Sequence, residues 1–150
     1  MALPRHHSSV ANSLSERWLN GNEAGIAKLI GFRLTSLDPD HALVEFEPGP
    51  QHANPMGTLH GGVLCDIADA AMGMAWIAGL AEGESFTTVE MKINFLRPVW
   101  DGKLTAEGKV IRRGRTLGYA ECEIRDEAGR LVAKTSCTCM TLRGDQAAGR

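Results

Sequence analysis

Two aspartates, Asp66 and Asp69, interrupt an otherwise apolar run over residues 63–80. If that run is helical, residues three apart lie within about 60° of each other on its circumference, so both carboxylates share one side. Burial disfavours the ionised form of a carboxyl group, and a raised pKa makes its carboxylate a better base. Just upstream stands Asn54-Pro55-Met56-Gly57-Thr58-Leu59-His60-Gly61-Gly62, a polar loop. Gly61 and Gly62 fall where the helix begins, where backbone N–H groups lack partners and the helix dipole favours an anion. A carboxylate base together with an oxyanion donor is equipment for attack on a carbonyl. Asn54 suits a turn before Pro55. His60 reads either as a catalyst or as the residue that fixes the loop-to-helix turn. Asp66 is the alternative base, or a helix residue that serves a neighbouring backbone or a subunit contact.

The elements that must position these groups follow from periodicity. The run over 63–80 is apolar on every side, the pattern of a helix buried all round. Its length approaches that of a membrane span, but two carboxylates would each cost about 2.5–3.5 kcal/mol at a bilayer centre, and no basic flank anchors it. A helix wrapped by a sheet fits better. Before it, residues 13–19 and 22–30 read as short amphipathic helices ended by Gly21 and Gly31. Residues 32–37 and 42–47 form a predicted hairpin with Ala42, Val44 and Phe46 inward and Asp38-Pro39-Asp40-His41 as its turn.

After the helix, residues 86–142 read as a meander of strands. Val89, Met91, Ile93 and Phe95 are expected on one inward face, then Leu104, Ala106, Gly108 and Val110, then Ala120, Cys122 and Ile124. The last strand, 131–142, offers Ala133, Thr135, Cys137 and Cys139, a small-residue face that lets a helix come close. The fold class is therefore α+β, one long helix across a curved antiparallel sheet, in a single domain over 1–150 with 1–12 and 144–150 loose. One helix on one sheet leaves an edge and a helix side uncovered, so a homodimer is expected.

Composition excludes several classes. Sixteen basic and 18 acidic side chains are interspersed for a net charge of −2, which argues against nucleic acid or an anionic membrane as partner. The N-terminus lacks an apolar signal core, so a cytoplasmic location is expected. The four cysteines show no metal-ligand spacing, and Cys137 with Cys139 reads as core filling rather than a metal site. No Gly-x-Ser-x-Gly elbow is present for a serine hydrolase. Arg112, Arg113 and Arg115, with Gly114 and Thr116, form the one basic cluster.

Asn54, Gly57, His60-Gly61-Gly62 and Asp69, inside an apolar helix followed by strands, resemble the hotdog-fold thioesterases, and among them the phenylacetate-degradation (PaaI-like) group. The resemblance covers about residues 25–143. It implies hydrolysis of acyl-CoA thioesters by dimers or dimers of dimers, with no metal or organic cofactor. It assigns Asp69 to activating water or attacking the carbonyl, Gly61 to the oxyanion, Asn54 to orienting water or substrate, and Thr88 to assisting, with Thr87 one residue away. It also implies a CoA phosphate site near Arg112, Arg113, Gly114 and Arg115, and a site shared between subunits. Two other functions compete: a hotdog enoyl-thioester hydratase or dehydratase using His52 or His60, and a non-catalytic acyl-CoA binder.

Overall fold

The hairpin forms around Asp40, whose φ of 62° puts it in the left-handed region, and joins β1 (Arg33–Asp38) to β2 (His41–Phe46). Ala42, Val44 and Phe46 face inward and are buried, as the alternation predicts. The computed structural model describes residues 25–149 together with Glu16 and Leu19. Of the two predicted N-terminal helices, the second is α1 (Gly25–Ile30). The first, over 13–19, lies outside the described residues except for Glu16 and Leu19, which are helical.

A short 3-10 turn at Pro50–His52 leads to the polar loop and then to α2 (Gly61–Ile77). Four strands complete the chain: β3 (Ser85–Phe95), β4 (Leu104–Arg113), β5 (Leu117–Asp126) and β6 (Leu131–Leu142). The supposedly loose tail begins with a second 3-10 turn, Gly144–Gln146. The six strands form one antiparallel sheet in the order β1-β2-β4-β5-β6-β3. The predicted meander is therefore interrupted once. β4 pairs with β2, while β3 crosses to the opposite edge beside β6, because pairing depends on register between distant segments rather than on chain order.

α2 lies against the sheet with Ile67, Ala68, Ala71, Met72, Ala75 and Trp76 fully buried. Small residues set the approach. A methyl added at Gly108 would overlap the Ala71 carbonyl group, and one at Gly118 would overlap the Trp76 ring. Ala106, Ala120, Ala133, Cys137 and Cys139 floor the same contact at essentially zero exposure.

Two expectations about burial fail for physical reasons. The helix is not buried all round: Gly62, Asp66 and Asp69 are exposed, because one sheet covers one side and the open side falls on the N-terminal half. Nor does Val89 point inward or Phe95 become buried, each being 55% exposed, although Phe95 shares the face of Met91 and Ile93 and its ring lies against Gly61 at the start of α2. A register shift between Thr88 and Glu90 leaves Val89 bulged out of the ladder. Met91 and Ile93 do pack against the core. Among the described residues no helix is long and apolar enough to cross a membrane.

Candidate active site

The loop before α2 is built from its own side chains. The Asn54 carboxamide oxygen accepts from the Met56 and Thr58 N–H groups at 2.9 and 3.2 Å, and its amide donates to Thr58 Oγ1 at 2.9 Å. Gly57 supplies the positive φ, 84°, that the turn needs. The loop is tied down where Leu59 N–H donates to the Val99 carbonyl and His60 N–H to the His52 carbonyl. Asn54 thus sits as the turn-forming residue, its amide committed to the loop.

His60 is the N-cap of α2. Its backbone is extended, and its Nδ1 accepts from Gly62 N–H at 2.9 Å, which puts the proton of a neutral ring on Nε2. Val63 N–H donates to the His60 carbonyl at 3.0 Å. The first N–H of the helix, that of Gly61, has no acceptor within the described residues. It is the helix-start donor left open for an oxyanion. His52 is buried, with Nδ1 accepting from Gly49 N–H and its ring edge-on to Phe46 at 5.0 Å. Neither histidine has a hydrogen bond to Asp69.

Two turns along the helix, Asp69 Oδ1 accepts a hydrogen bond from Thr88 Oγ1 at 3.0 Å. The structure therefore brings Thr88 to Asp69, while Thr87 Oγ1 donates weakly to the Thr88 carbonyl at 3.4 Å. Asp66 is exposed, and its carboxyl is held above the usual aspartate range, first by partial burial and then by the charge of Asp69. Under this pair Cys139 lies directly across from Thr88 in the β3/β6 ladder. Its sulfur is 3.6 Å from that of Cys137, and this contact together with burial pushes the Cys137 thiol far up. Burial likewise raises Cys122 to about 12. All three of these thiols are buried in the core. No group of three or more His, Cys, Asp or Glu among the described residues is arranged to hold a metal ion.

The arginine cluster divides. Arg113 turns inward: it donates to Asp40 Oδ1 at 2.6 and 3.1 Å and to the Trp76 carbonyl at 2.9 Å, with its guanidinium 4.1 Å over the Trp76 ring. It closes the C-terminal end of α2 and is not free for a phosphate. Gly114 serves the β4–β5 turn, its N–H donating to the Leu117 carbonyl. Arg112 and Arg115 are exposed. Arg115 lines a groove of about 390 Å³ with Thr116, Thr141, Arg143 and Gln146. Arg143, whose Nε donates to Glu84 at 2.7 Å, escaped the sequence reading. The only signal for it was a basic residue directly after the last strand.

Residues 56–133 match the model of the thioesterase superfamily. A Saccharolobus solfataricus protein named as an esterase is 34% identical over 118 residues, 79% of this chain and 84% of that protein. Acyl-coenzyme A thioesterase 13 of Mus musculus is 28% identical over 103 residues, 67% of this chain and 73% of the enzyme. Among solved structures, the Escherichia coli PaaI protein of the phenylacetic acid degradation operon superposes with a TM-score of 0.80 at 26% identity, covering 93% of this chain and 98% of that one. A Haemophilus influenzae thioesterase superposes with a TM-score of 0.79 at 25% identity, covering 85% and 90%. With its curved antiparallel sheet around one main helix, the chain has the hotdog fold and belongs to the thioesterase superfamily.

Proposed function

We propose that this protein hydrolyses acyl-CoA thioesters to the free acid and CoA, in an active site shared between two copies of the chain. The observation that carries the reading is that α2 holds, on one unbroken helix, an unused N–H at Gly61 and an exposed Asp69 paired to Thr88. Thioester hydrolysis as general chemistry comes with membership of the superfamily. The acyl-CoA substrate is supported by the mouse relative's name and by the basic groove at Arg115 and Arg143, suited to phosphate oxygens.

Asp69 takes a proton from water as the water oxygen bonds to the thioester carbonyl carbon, and passes that proton on to the departing sulfur; or it attacks that carbon itself, forming an anhydride that water then hydrolyses to free the acid and Asp69. Gly61 N–H holds the oxygen as it gains charge, and collapse breaks the C–S bond to release the thiol. Thr88 fixes the carboxylate by donating to Oδ1. Asn54 acts through the loop it organises and His60 through the capped turn, so both are positioning residues for Gly61.

Gly61 and Asp69 are eight residues apart, about 12 Å along the axis. One carbonyl cannot meet both. Two copies related by a two-fold axis past the midpoint of that interval would set Gly61 of one beside Asp69 of the other. The long, half-exposed edge strand β3, paired only with β6, is available for the same contact.

The test is release of free thiol from a panel of aromatic, arylacetyl and aliphatic CoA esters, with Asp69→Asn as control. Turnover that this substitution removes is expected. Hydration of an enoyl-CoA without thiol release would favour the hydratase, and saturable binding without turnover across the panel a binding protein. The hydratase is the weaker reading, since Nδ1 of both His52 and His60 is already occupied by a backbone N–H.

A further inference from the structure

Thr88 holds the carboxylate of Asp69, and a row of buried thiols lies behind Thr88. In the β3/β6 ladder its direct partner is Cys139, which is fully buried, and the two side chains are in hydrogen-bonding contact. The sulfur of Cys139 lies in turn 3.6 Å from that of Cys137, also fully buried. A register shift between Thr88 and Glu90 interrupts the ladder beside Thr88. Regular pairing therefore holds Thr88 on one side only, and its side chain needs a second hold.

The protons fix the direction of this row. An ionised carboxylate only accepts, and a threonine hydroxyl has one proton and two lone pairs. That proton is donated to Asp69 Oδ1 at 3.0 Å, so the contact between Thr88 and Cys139 is left to the thiol proton. The Cys139 sulfur is then left to accept from Cys137. We infer that Cys139 is a positioning residue for the base: its S–H donates to Thr88 Oγ1 and keeps the hydroxyl pointed at Asp69. The inference rests on the thioesterase reading, in which Asp69 is the base. Each donor in the row Cys137, Cys139, Thr88 polarises the next toward the carboxylate, and hydrogen bonds in series strengthen one another where water is absent. Filling the space does not by itself call for sulfur, since Ala106, Ala120 and Ala133 floor the same helix contact with methyl groups.

The experiment compares Cys139→Ala, which removes the thiol proton, with Cys139→Ser, which puts a hydroxyl proton in its place, each alone and combined with Thr88→Val. For variants that circular dichroism shows to be folded at the assay temperature, kcat and KM are measured on the CoA ester that the unmodified protein hydrolyses fastest. The alanine variant is expected to lower kcat by about 2- to 13-fold, the span of one net hydrogen bond, with KM unchanged, and the serine variant to keep most of the parent kcat. In the Thr88→Val background the alanine change should cost nothing further, because the contact through which it acts is already gone. A purely structural role for Cys139 would cost as much with Thr88 as without it. An alanine variant with the parent kcat, a serine variant no faster than alanine, or equal losses in the two backgrounds would overturn the inference. The infrared S–H stretch keeps this result apart from the thioesterase reading. The band that Cys139→Ser removes should lie at the lower frequency of a donating thiol and move up in Thr88→Val, whether or not any ester is hydrolysed. A band that stays in place overturns the inference; a band that moves, in a protein that releases no thiol, upholds the Cys139 contact and counts against hydrolysis.

Discussion

Sharing of the active site can be tested by complementation. Because α2 runs without a break from Gly61 to Ile77, the separation of about 12 Å between Gly61 and Asp69 is not shortened by a kink. Asp69→Asn keeps the side-chain shape and loses the base, and Gly61→Pro removes the N–H. Proline suits this position: it is the first residue of the helix, and His60 before it is already extended at φ −67° and ψ 132°. The ring that touches Gly61 is the far end of an exposed side chain and can swing aside. Gly61→Ala is the control, because it crowds Phe95 as proline does but retains the donor. Loss of one oxyanion donor is expected to cost about 10²–10³ in kcat, and loss of the base about 10²–10⁴. Random mixing of the two inactive subunits makes about half of all dimers mixed, each with one intact site, so co-expression should restore about a quarter of full activity. The assay is thiol release by the co-expressed mixture and by tandem-tagged mixed dimers purified from it, which should show about half of full activity, with the alanine variant showing how much of the proline effect is crowding. If mixed dimers form and fold yet stay as inactive as the separate mutants, the site lies within one chain and the carbonyl is held by some donor other than Gly61.

Four other outcomes follow from particular contacts. Arg113→Ala should cost about 1.5–3 kcal/mol of stability, the range for hydrogen bonds to charged groups, whereas Arg115→Ala should leave the melting temperature unchanged and raise KM for CoA esters but not for short thioesters lacking the nucleotide; the reverse pattern would return Arg113 to the substrate site. Asp66 makes stability depend on pH. Its folded pKa is raised, so the folded state binds more protons, and its ionisation costs stability as pH rises through and above the ordinary value of 3.8; Asp66→Asn should therefore stabilise the fold at neutral pH in denaturant titrations, with the gain vanishing in acid below that value. Gly108→Ala sets a methyl against backbone that no rotamer change can move, and about 1–3 kcal/mol of destabilisation is expected by chemical denaturation. Cys65 lies midway between Gly61 and Asp69 and is partly accessible, while Cys122, Cys137 and Cys139 are buried; in antiparallel helices about 8–10 Å apart, a short bis-maleimide should join two chains through Cys65, and a product that stays monomeric on a denaturing gel would move the two-fold axis elsewhere.

What the sequence revealed was what local chemistry encodes. The apolar run with its glycine start could be read as a helix because no other element uses so many consecutive small and apolar residues, and the strands followed from alternation. Strand order was not legible, since β3 beside β6 depends on pairing between segments far apart in the chain. The same limit hid the role of Arg113: its partner Asp40 is 73 positions away, and in sequence it looks like its exposed neighbours Arg112 and Arg115. Val89 was misplaced because a bulge is one residue of register and leaves no mark on composition, while Phe95 is on the expected face but at the strand end, where the helix start covers it only in part. Asn54 and His60 showed the opposite limit. Their types suited both chemistry and turn formation, and the hydrogen bonds of the folded loop show the turn contacts that each makes.

The two halves of α2 divide the labour between stability and chemistry. From Ala71 to Trp76 every residue is buried. Gly108 and Gly118 admit the helix to the sheet there, and Arg113 closes its end through Trp76 and Asp40. From Gly61 to Asp69 one side is bare, and that side carries the open N–H, both carboxylates and the Thr88 contact. A helix anchored at one end and uncovered at the other holds its charged groups at only partial burial in the monomer. Water would then be excluded only when a second copy or a substrate covers the open side, and that exclusion is what strengthens an oxyanion contact and raises the basicity of a carboxylate. Substitutions between 71 and 77, and at the buried Leu64, Ile67 and Ala68, should therefore act through unfolding, and those at Gly61 and Asp69 on the bare side through turnover at nearly constant stability.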